Sequence, residues 1–306
     1  MITVVGSFNM DLFIEAQRFP APGEAMLGKN FRRAPGGKGA NQAFAVARMG
    51  MKSAIIGAVG RDAFGEEMVG NLRSAGVDTR GVLRRKNIAS GTAMIVLDAS
   101  GQNQIVVANG ANDTLTGEDV RLFGGLFRKS KAAIVQFETP MNSVETALRL
   151  ARNFGALAVL NPAPFTPVSD RILRLADWII PNEGEAAKLT RVEVRNTATA
   201  AKASAALKQR SRCRNILITL GAQGAWLDTP SFTGRVPGFK VKAVDTVGAG
   251  DTFIGAFVVR MVEGAEPREA ARFGCAAAAI AVTRRGAQSS IPARAEVENW
   301  LTRRRQ

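Results

Sequence analysis

The chain has 306 residues, of which 46% are hydrophobic, and a formal net charge of +15 from 41 basic and 26 acidic residues. A chain of this length can bury a large core, and it contains no run of about 18 apolar residues of the kind that crosses a membrane. Histidine and tyrosine are absent, which excludes a Ser-His-Asp triad, a histidine metal ligand and a histidine general base.

Apolar, strand-like runs alternate with amphipathic helical segments along most of the chain. In chain order the pattern predicts strand 2–5, helix 41–49, strand 53–59, helix 64–75, strand 132–136, helix 143–154, strands 156–160 and 178–181, helices 183–189 and 197–208, strand 215–220, and helices 249–263, 267–283 and 294–301. Because the strands are apolar along their whole length, this alternation predicts a parallel sheet covered by helices on both faces.

Two extended regions, 12–31 and 81–108, interrupt this alternation. The second region has a turn signal at 99–101 and runs at 82–85, 92–97 and 104–107 that are typical of antiparallel strands. The two regions are therefore predicted to pair into a small second sheet that covers the functional site as a lid.

The net charge of +15 attracts polyanions, so a nucleic-acid-binding protein is one interpretation and a basic surface around a phosphorylated substrate is another. The basic residues are scattered, and aromatic residues make up only 6% of the chain, so the pattern does not favour nucleic acid as a partner. The apolar start of the chain has no basic segment before it and is predicted to be a buried strand rather than a signal peptide, which favours a cytoplasmic protein.

The strongest chemical signal is the segment Asp-Thr-Val-Gly-Ala-Gly-Asp-Thr-Phe at 245–253. Its small residues open a long apolar helix, whose free N–H groups and dipole favour an anion such as a phosphoryl group in transfer. Asp251, in the first turn of that helix, could accept the proton of an attacking hydroxyl. A glycine turn followed by a helix-capping aspartate has the same pattern, so this motif alone leaves both interpretations open.

Two more motifs lie beside predicted elements. The segment Gly-Gly-Lys-Gly-Ala-Asn at 36–41 precedes a helix and is either a ligand loop or a plain helix start. The segment at 6–11 follows the first strand, where Asn9 and Asp11 could bind neighbouring hydroxyls or form an Asx-turn. Neither a Walker loop nor a dinucleotide fingerprint is present, which excludes the two commonest nucleotide-binding motifs.

Taken together, these segments resemble the PfkB-type carbohydrate kinases over residues 6–292, with both family signatures present at 36–41 and 245–251. The resemblance implies one ribokinase-like α/β kinase domain over 1–306. Its fold would be a parallel-sheet sandwich with helices on both faces and a small β-sheet lid from about 11–34 and 81–109.

The resemblance also implies roles for individual residues. Asp251 would be the general base, and the anion hole would be formed by Gly248, Ala249 and Gly250. The implied sugar contacts are Asn9, Asp11, Gly37, Lys38, Gly39, Asn41 and Glu138. The implied ATP contacts are Asn182, Thr219, Gly221, Gly224 and Cys275. The implied K⁺ positions are Asp245, Val247, Ala281, Arg284, Gly286 and Ser290, mostly through backbone oxygens.

The activity implied by the resemblance is ATP-dependent phosphorylation of the primary hydroxyl of a small sugar, with D-ribose as the first candidate. Fructose, a keto-deoxy sugar acid and a nucleoside remain alternative substrates, and a basic nucleic-acid-binding protein remains the non-enzymatic alternative. The implied cofactors are ATP, Mg²⁺ and K⁺, and the implied assembly is a homodimer through the lid. Two residues depart from the family pattern: Cys275 replaces a histidine near the adenine, and Phe8 is larger than usual, so it could narrow or reshape the sugar pocket.

Overall fold

The computed structural model describes residues 1–100 and 102–304. Gly101, part of the turn predicted at 99–101, and the last two residues of the predicted domain lie outside this description. Among the described residues, every helix is either too short or too polar to cross a membrane.

Thirteen strands and eleven helices make up the described chain. The strands are β1 Ile2–Val5, β2 Asn9–Glu15, β3 Lys29–Gly36, β4 Ser53–Gly60, β5 Asp78–Arg85, β6 Gly91–Leu97, β7 Asn103–Ala108, β8 Ala132–Val135, β9 Leu157–Leu160, β10 Trp178–Ile179, β11 Asn215–Thr219, β12 Gly224–Asp228 and β13 Thr233–Pro237. The helices are α1 Lys38–Arg48, α2 Ala63–Ser74, α3 Gly117–Leu122, α4 Gly124–Arg128, α5 Met141–Asn153, α6 Asp170–Leu173, α7 Glu183–Thr190, α8 Thr197–Ser211, α9 Ala249–Val262, α10 Pro267–Ala281 and α11 Arg294–Arg303.

Nine strands form the main sheet, in the order β13-β12-β11-β10-β9-β8-β1-β4-β5. All neighbouring strands from β11 to β5 pair in parallel, as predicted. At one edge, β12 pairs antiparallel with both β11 and β13. Strands such as β4 are buried at every residue because helices cover both faces of the sheet. One face packs against α1, α2, α9, α10 and α11, and the other against α3 to α8, which gives two separate apolar cores.

A second sheet has the order β3-β2-β6-β7. The prediction of such a small sheet is confirmed, and its pairs are antiparallel except for β2 with β6, which is parallel. The assignment of residues 82–85 to this sheet is wrong, because β5 pairs in parallel with β4 at the edge of the main sheet. The run at 82–85 is short and half-buried, so its pattern alone does not distinguish the two sheets.

The hairpin of β12 and β13 was not predicted. Strand β12 is mostly buried, β13 is mostly exposed apart from the buried Val236, and a turn at Thr229–Phe232 joins them. Gly224 begins the hairpin with a φ of 99°, and a Cβ there would lie 2.1 Å from the carbonyl oxygen of Val236. The glycine allows the two strands to approach closely, so this hairpin depends on a contact that a residue pattern does not reveal.

Phe8, the residue expected to narrow or reshape the sugar pocket, lies in the main core. Its side chain is fully buried and lies against Gly57 of β4. A Cβ on Gly57 would lie 2.7 Å from the Phe8 ring and 2.6 Å from the carbonyl oxygen of Gly6. The large ring is therefore accommodated by the missing side chain of its neighbour.

We predict that Gly57→Ala destabilises the protein by about 1–3 kcal/mol, because the added methyl group overpacks a site that has no free volume. Gly70→Ala is the matched control, because a Cβ in that part of α2 meets nothing within 4 Å. It should instead stabilise the protein by about 0.5–1 kcal/mol through a better helix propensity. Urea unfolding of both variants measures the difference, and equal effects would show that Gly57 is not required by Phe8.

Candidate active site

The candidate site lies at the carboxyl ends of the parallel strands. From β1 the sheet continues through β4 in one direction and through β8 in the other, so the chain changes direction across the sheet at this point. Ligands of open α/β sheets bind in the crevice outside such a switch point. The polar residues predicted to follow β8, β9, β10 and β11 all lie along this edge, namely Glu138, Asn161, Asn182 and Thr219.

Asp251 enters this crevice from the first turn of α9. Gly248 precedes the helix with a φ of 74°, which glycine adopts without strain, and it turns the chain from the preceding loop into the helix. Helix α9 then packs tightly against α1, since a Cβ on Gly255 would lie 2.5 Å from the Cβ of Ala45. This contact brings the start of α9 next to the start of α1, the two helices that carry the predicted ligand loops.

The Asp251 carboxylate is only 6% exposed and accepts one side-chain amide bond on each oxygen. Asn41 Nδ2 donates to one oxygen over 3.0 Å, and Gln42 Nε2 donates to the other over 2.9 Å. Both donors are neutral, so they orient the carboxylate without placing a cation on it. A buried carboxylate that keeps free lone pairs is suited to accept a proton from a hydroxyl.

A cavity of about 190 Å³ joins the predicted catalytic and nucleotide residues. It is lined by Lys38, Asn161, Ala163, Ile180, Asn182, Glu185, Thr219, Thr246, Gly248, Gly250, Asp251 and Ile254. The first turn of α9 leaves backbone N–H groups without intrahelical partners, and the glycines leave space for an anion to approach them. The base, the helix terminus and Lys38 thus lie around one small space.

Lys38 is the cation of this space. Burial alone would lower the pKa of its ammonium group, but the carboxylates of Asp251, Glu138 and Glu185 outweigh burial, so the pKa of Lys38 is raised. The ammonium group therefore keeps its charge throughout the neutral range. Its backbone N–H also donates to Glu138 over 3.0 Å, which ties the loop before α1 to the end of β8.

Asn9 and Gly37 face each other where the chain leaves the main sheet and enters β2 of the small sheet. Asn112 donates to the side-chain oxygen of Asn9 over 3.0 Å and exchanges two further bonds with the backbone of Phe8. Gly37 has a φ of 89°, and a Cβ there would lie 2.7 Å from the backbone nitrogen of Asn9. Gly39 is equally close to Gly6, so the loop at 36–41 packs directly on the chain that follows β1.

Asp11 lies in a crowded acidic environment. The pKa of its carboxyl is raised to about 7, mainly by burial and also by the charges of Glu138 and Asp251, while Arg32 acts in the opposite direction. Glu138 itself accepts a short hydrogen bond from the hydroxyl of Ser7. Four predicted site residues, Asn9, Asp11, Glu138 and Asp251, are thus brought together at one end of the crevice.

The predicted nucleotide residues divide into two groups. Asn182 caps α7 and forms a reciprocal pair of hydrogen bonds with Glu185. Its backbone also forms an isolated parallel β-bridge with Thr219, and Asn182 and Thr219 both line the cavity. Gly221 and Gly224 lie in the turn between β11 and β12 and do not line it. Cys275 is buried in the core on α10, away from the cavity lining, and burial raises the pKa of its thiol to about 12.

Two loops meet at the predicted cation positions. The Asp245 carboxylate accepts from the backbone N–H of Val247 over 3.0 Å and from that of Gly286 over 2.9 Å. This bridge brings the segment at 245–248 beside the segment at 284–290, which contains Arg284, Gly286 and Ser290, while Ala281 ends α10 just before it. Within residues 1–100 and 102–304 there is no cluster of three acidic or cysteine side chains that could hold a metal ion.

Sequence reasoning did not give a role to Gln42, Gln136, Asn112 or Glu185. Each is hydrogen-bonded to another residue of the site, as Asn112 is to Asn9 and Gln136 is to Gln42. Only Glu185 had a usable signal, because Asn-x-x-Glu at a helix start predicts the reciprocal capping bonds that are observed.

Comparison with known proteins places this geometry in context. The profile described as pfkB family carbohydrate kinase matches residues 1–294. The chain is 43% identical over 300 residues to a ribokinase of Haemophilus influenzae, covering 98% of both proteins. It is similar to the crystal structure of a Thermotoga maritima ribokinase, with 38% identity, a TM-score of 0.89 and coverage of 98% of this chain and 99% of that chain. An Arabidopsis thaliana ribokinase structure, complexed with ribose and ATP, has 30% identity, a TM-score of 0.89 and coverage of 98% of each chain.

We predict that the Asp11 carboxyl titrates with a midpoint near pH 7 when followed by carbon-13 NMR of labelled aspartate. Glu138→Gln should lower that midpoint because it removes a neighbouring negative charge, and Arg32→Gln should raise it because it removes a cation. A midpoint near the ordinary value for aspartate, or the same direction of shift in both variants, would contradict the acidic environment described above.

Proposed function

Because the chain belongs to the pfkB family of carbohydrate kinases, we propose that it transfers the γ-phosphoryl group of ATP to the primary hydroxyl of D-ribose. The product is ribose 5-phosphate. One observation carries this proposal: Asp251, the glycine start of α9, Lys38 and the residues at the ends of β10 and β11 surround one cavity. That arrangement holds a base, a site for phosphate and a site for a nucleotide within a short distance of each other.

The reaction follows from these positions. Asp251 takes the proton of the sugar hydroxyl while the hydroxyl oxygen forms a bond to the γ-phosphorus. The bond from that phosphorus to the bridging oxygen of ATP breaks, which releases ADP. The backbone N–H groups of Gly248, Ala249 and Gly250 and the ammonium group of Lys38 stabilise the charge on the phosphoryl group in transfer. The nucleotide enters with Mg²⁺, which neutralises phosphate charge and is part of the substrate.

The sugar is held by the polar residues at the other end of the crevice. We assign its hydroxyl contacts to Asn9, Asp11, Asn41 and Glu138, together with the backbone of Gly37 and Gly39. Carboxylate and amide oxygens in this number suit a neutral sugar with several hydroxyl groups. The nucleotide contacts are assigned to Asn182 and Thr219, with Gly221, Gly224 and Cys275 as more distant candidates.

We further propose a monovalent cation, K⁺, between the loops joined by Asp245. Its ligands would be oxygens of Asp245, Val247, Ala281, Arg284, Gly286 and Ser290, and carboxylate and carbonyl oxygens suit a hard cation. When bound, the ion would supply positive charge next to the start of α9. The bridge from Asp245 to the amides of Val247 and Gly286 supports this proposal, because it holds the two loops together.

D-Ribose is favoured by the Haemophilus influenzae and Thermotoga maritima relatives, both named ribokinase, and by the Arabidopsis thaliana complex with ribose and ATP. A keto-deoxy sugar acid is a second candidate, because Arg32, Lys29 and Arg285 line a cavity of about 620 Å³ under the small sheet. Those cations could pair with the carboxylate of an acid substrate. Fructose and nucleosides have no comparable observation in their favour.

A measurement of ATP consumption across a panel of sugars tests the proposed activity. D-Ribose should give the highest kcat/KM, above D-fructose, 2-keto-3-deoxygluconate and adenosine, and K⁺ should stimulate turnover compared with Na⁺. The strongest turnover with the sugar acid, and its loss in Arg32→Gln, would instead favour the second candidate. Absence of ATP consumption with every compound would exclude the kinase proposal.

Asp251→Asn is expected to lower kcat on the best sugar by about 10²- to 10⁴-fold, because the amide cannot accept the proton of the hydroxyl. The affinity for the sugar should change little, because the replacement keeps the shape of the side chain. Turnover is measured by the release of ADP, and sugar affinity by calorimetry. A variant with nearly normal turnover would remove Asp251 from the mechanism.

We also propose a cytoplasmic location, because the reaction consumes ATP. We further propose that the small sheet acts as a lid and that the protein forms a homodimer through this sheet. Several large apolar side chains are exposed on this sheet, among them Val106 at 71%, and every residue of β7 is exposed. Contiguous apolar surface of this kind is typical of a protein interface. A second copy can cover it symmetrically, since both copies present the same face.

Val106→Glu should therefore shift the protein from dimer to monomer in sedimentation equilibrium, because it buries a charge in the interface. Leu122→Glu is the matched control, because Leu122 is 76% exposed but lies on α3, away from the small sheet. The control should leave the mass unchanged. A monomeric parent protein, or equal effects of both substitutions, would contradict a dimer through this sheet.

A further inference from the structure

Gln42 is the most connected side chain behind the candidate base. It is completely buried in α1. Its Nε2 donates to Asp251 over 2.9 Å and to Asn161 over 3.1 Å, and its Oε1 accepts from Gln136 over 2.6 Å. These bonds use both amide hydrogens and occupy the carbonyl oxygen, so Gln42 has no free hydrogen for a ligand.

Only a primary amide can make this set of bonds. One end must donate twice, to two oxygen acceptors, while the other end must accept once. The Asp251 carboxylate enforces this orientation, because an ionised carboxylate can only accept and the Nε2 of Gln42 must therefore face it. The Gln42 carbonyl then faces Nε2 of Gln136. A carboxylate or a hydroxyl at position 42 would leave at least one buried partner unpaired.

Asn41 holds the second oxygen of Asp251 in a similar way. Its own oxygen accepts from Gln288 over 3.1 Å, and Gln288 accepts in turn from Asn71 of α2 over 2.5 Å. Each carboxylate oxygen is therefore bound by an amide that another amide fixes. The two chains of amides fix the rotation of the carboxylate about its side-chain bonds.

We propose that Gln42 is a positioning residue, which turns the Asp251 carboxylate toward the hydroxyl that the enzyme phosphorylates. This inference rests on the proposed kinase function and deepens it. Asn41 is also a candidate sugar contact, whereas Gln42 acts only through the base. Its effect should therefore appear in the rate of the chemical step and not in the binding of the sugar.

The other charged groups around Asp251 cannot provide this orientation. Lys38, Glu185 and Asp11 interact with it through their charges, but none is hydrogen-bonded to its carboxylate within the described residues. Charge interactions vary slowly with angle, whereas a hydrogen bond weakens steeply when its geometry is lost. The direction of the carboxylate is thus left to the two amides.

The test is a double-mutant cycle, in which kcat is measured for Gln42→Met, for Asp251→Asn and for the two substitutions combined. Methionine has a similar length but donates no hydrogen bond, so Gln42→Met should lower kcat by about 10- to 100-fold through misplacement of the base. The KM for the sugar should remain within about threefold of the parent value. Rapid quenching with radiolabelled ATP follows the slow variants as well as the parent enzyme.

The combined variant separates positioning from general damage. If Gln42 acts through Asp251, then Gln42→Met should change kcat by less than about threefold when residue 251 is already asparagine. Equal losses in both backgrounds, or a loss confined to KM, would overturn the proposal. A parent enzyme that phosphorylates no sugar would overturn the proposed function instead, so the two failures are distinguishable.

Ser53→Ala is the matched control, because its buried hydroxyl also supports α1, through the carbonyl of Ala43, but has no bond to the amide chain. It should leave kcat within about twofold of the parent value. If Gln42→Met does not fold, Gln136→Met replaces it in the same cycle, because it removes the bond that the carbonyl end of Gln42 accepts and so loosens the amide that holds Asp251. A normal kcat in folded Gln136→Met would then contradict the proposal.

Discussion

The carboxylate of Asp251 is buried between two amide donors, and the rest of the site is arranged around that contact. The donors lie on α1 and the carboxylate lies on α9, so the contact exists only while these two helices remain packed together. Gly255 permits that packing because any side chain there would collide with Ala45. A glycine far from the chemistry thereby sets the distance between the base and the loop at 36–41.

The electrostatics of the site differ from those of the whole chain. The protein has a net charge of +15, yet the crevice gathers Asp11, Glu138, Glu185 and Asp251 around one lysine. Burial is the main cause of the raised pKa of Asp11, and the neighbouring charges of Glu138 and Asp251 add to it. Among the described residues that line the cavity with Asp251, Lys38 is the single basic one, so the net charge of the chain does not describe this cavity.

The sequence predicted what depends on local pattern. The run of strands and helices followed from apolar periodicity, and the glycine segment before α9 predicted the helix start that holds Asp251. The pairing of β5 with β4 was missed, because a short strand has no local mark that selects its sheet. Gln42 and Asn112 were missed for a related reason: each matters through a partner that is distant in sequence, and the partners meet only in the folded protein.

Phe8, between β1 and β2, and Gly57 of β4 share one volume, and this has a consequence for which single exchanges the pair can tolerate. The ring of Phe8 occupies the space that a side chain at position 57 would need. A smaller residue at position 8 would leave a cavity, which costs stability. It would not free position 57, because a Cβ there would still lie 2.6 Å from the carbonyl oxygen of Gly6. The dependence is therefore one-sided: the ring requires the glycine, but the glycine is required even without the ring.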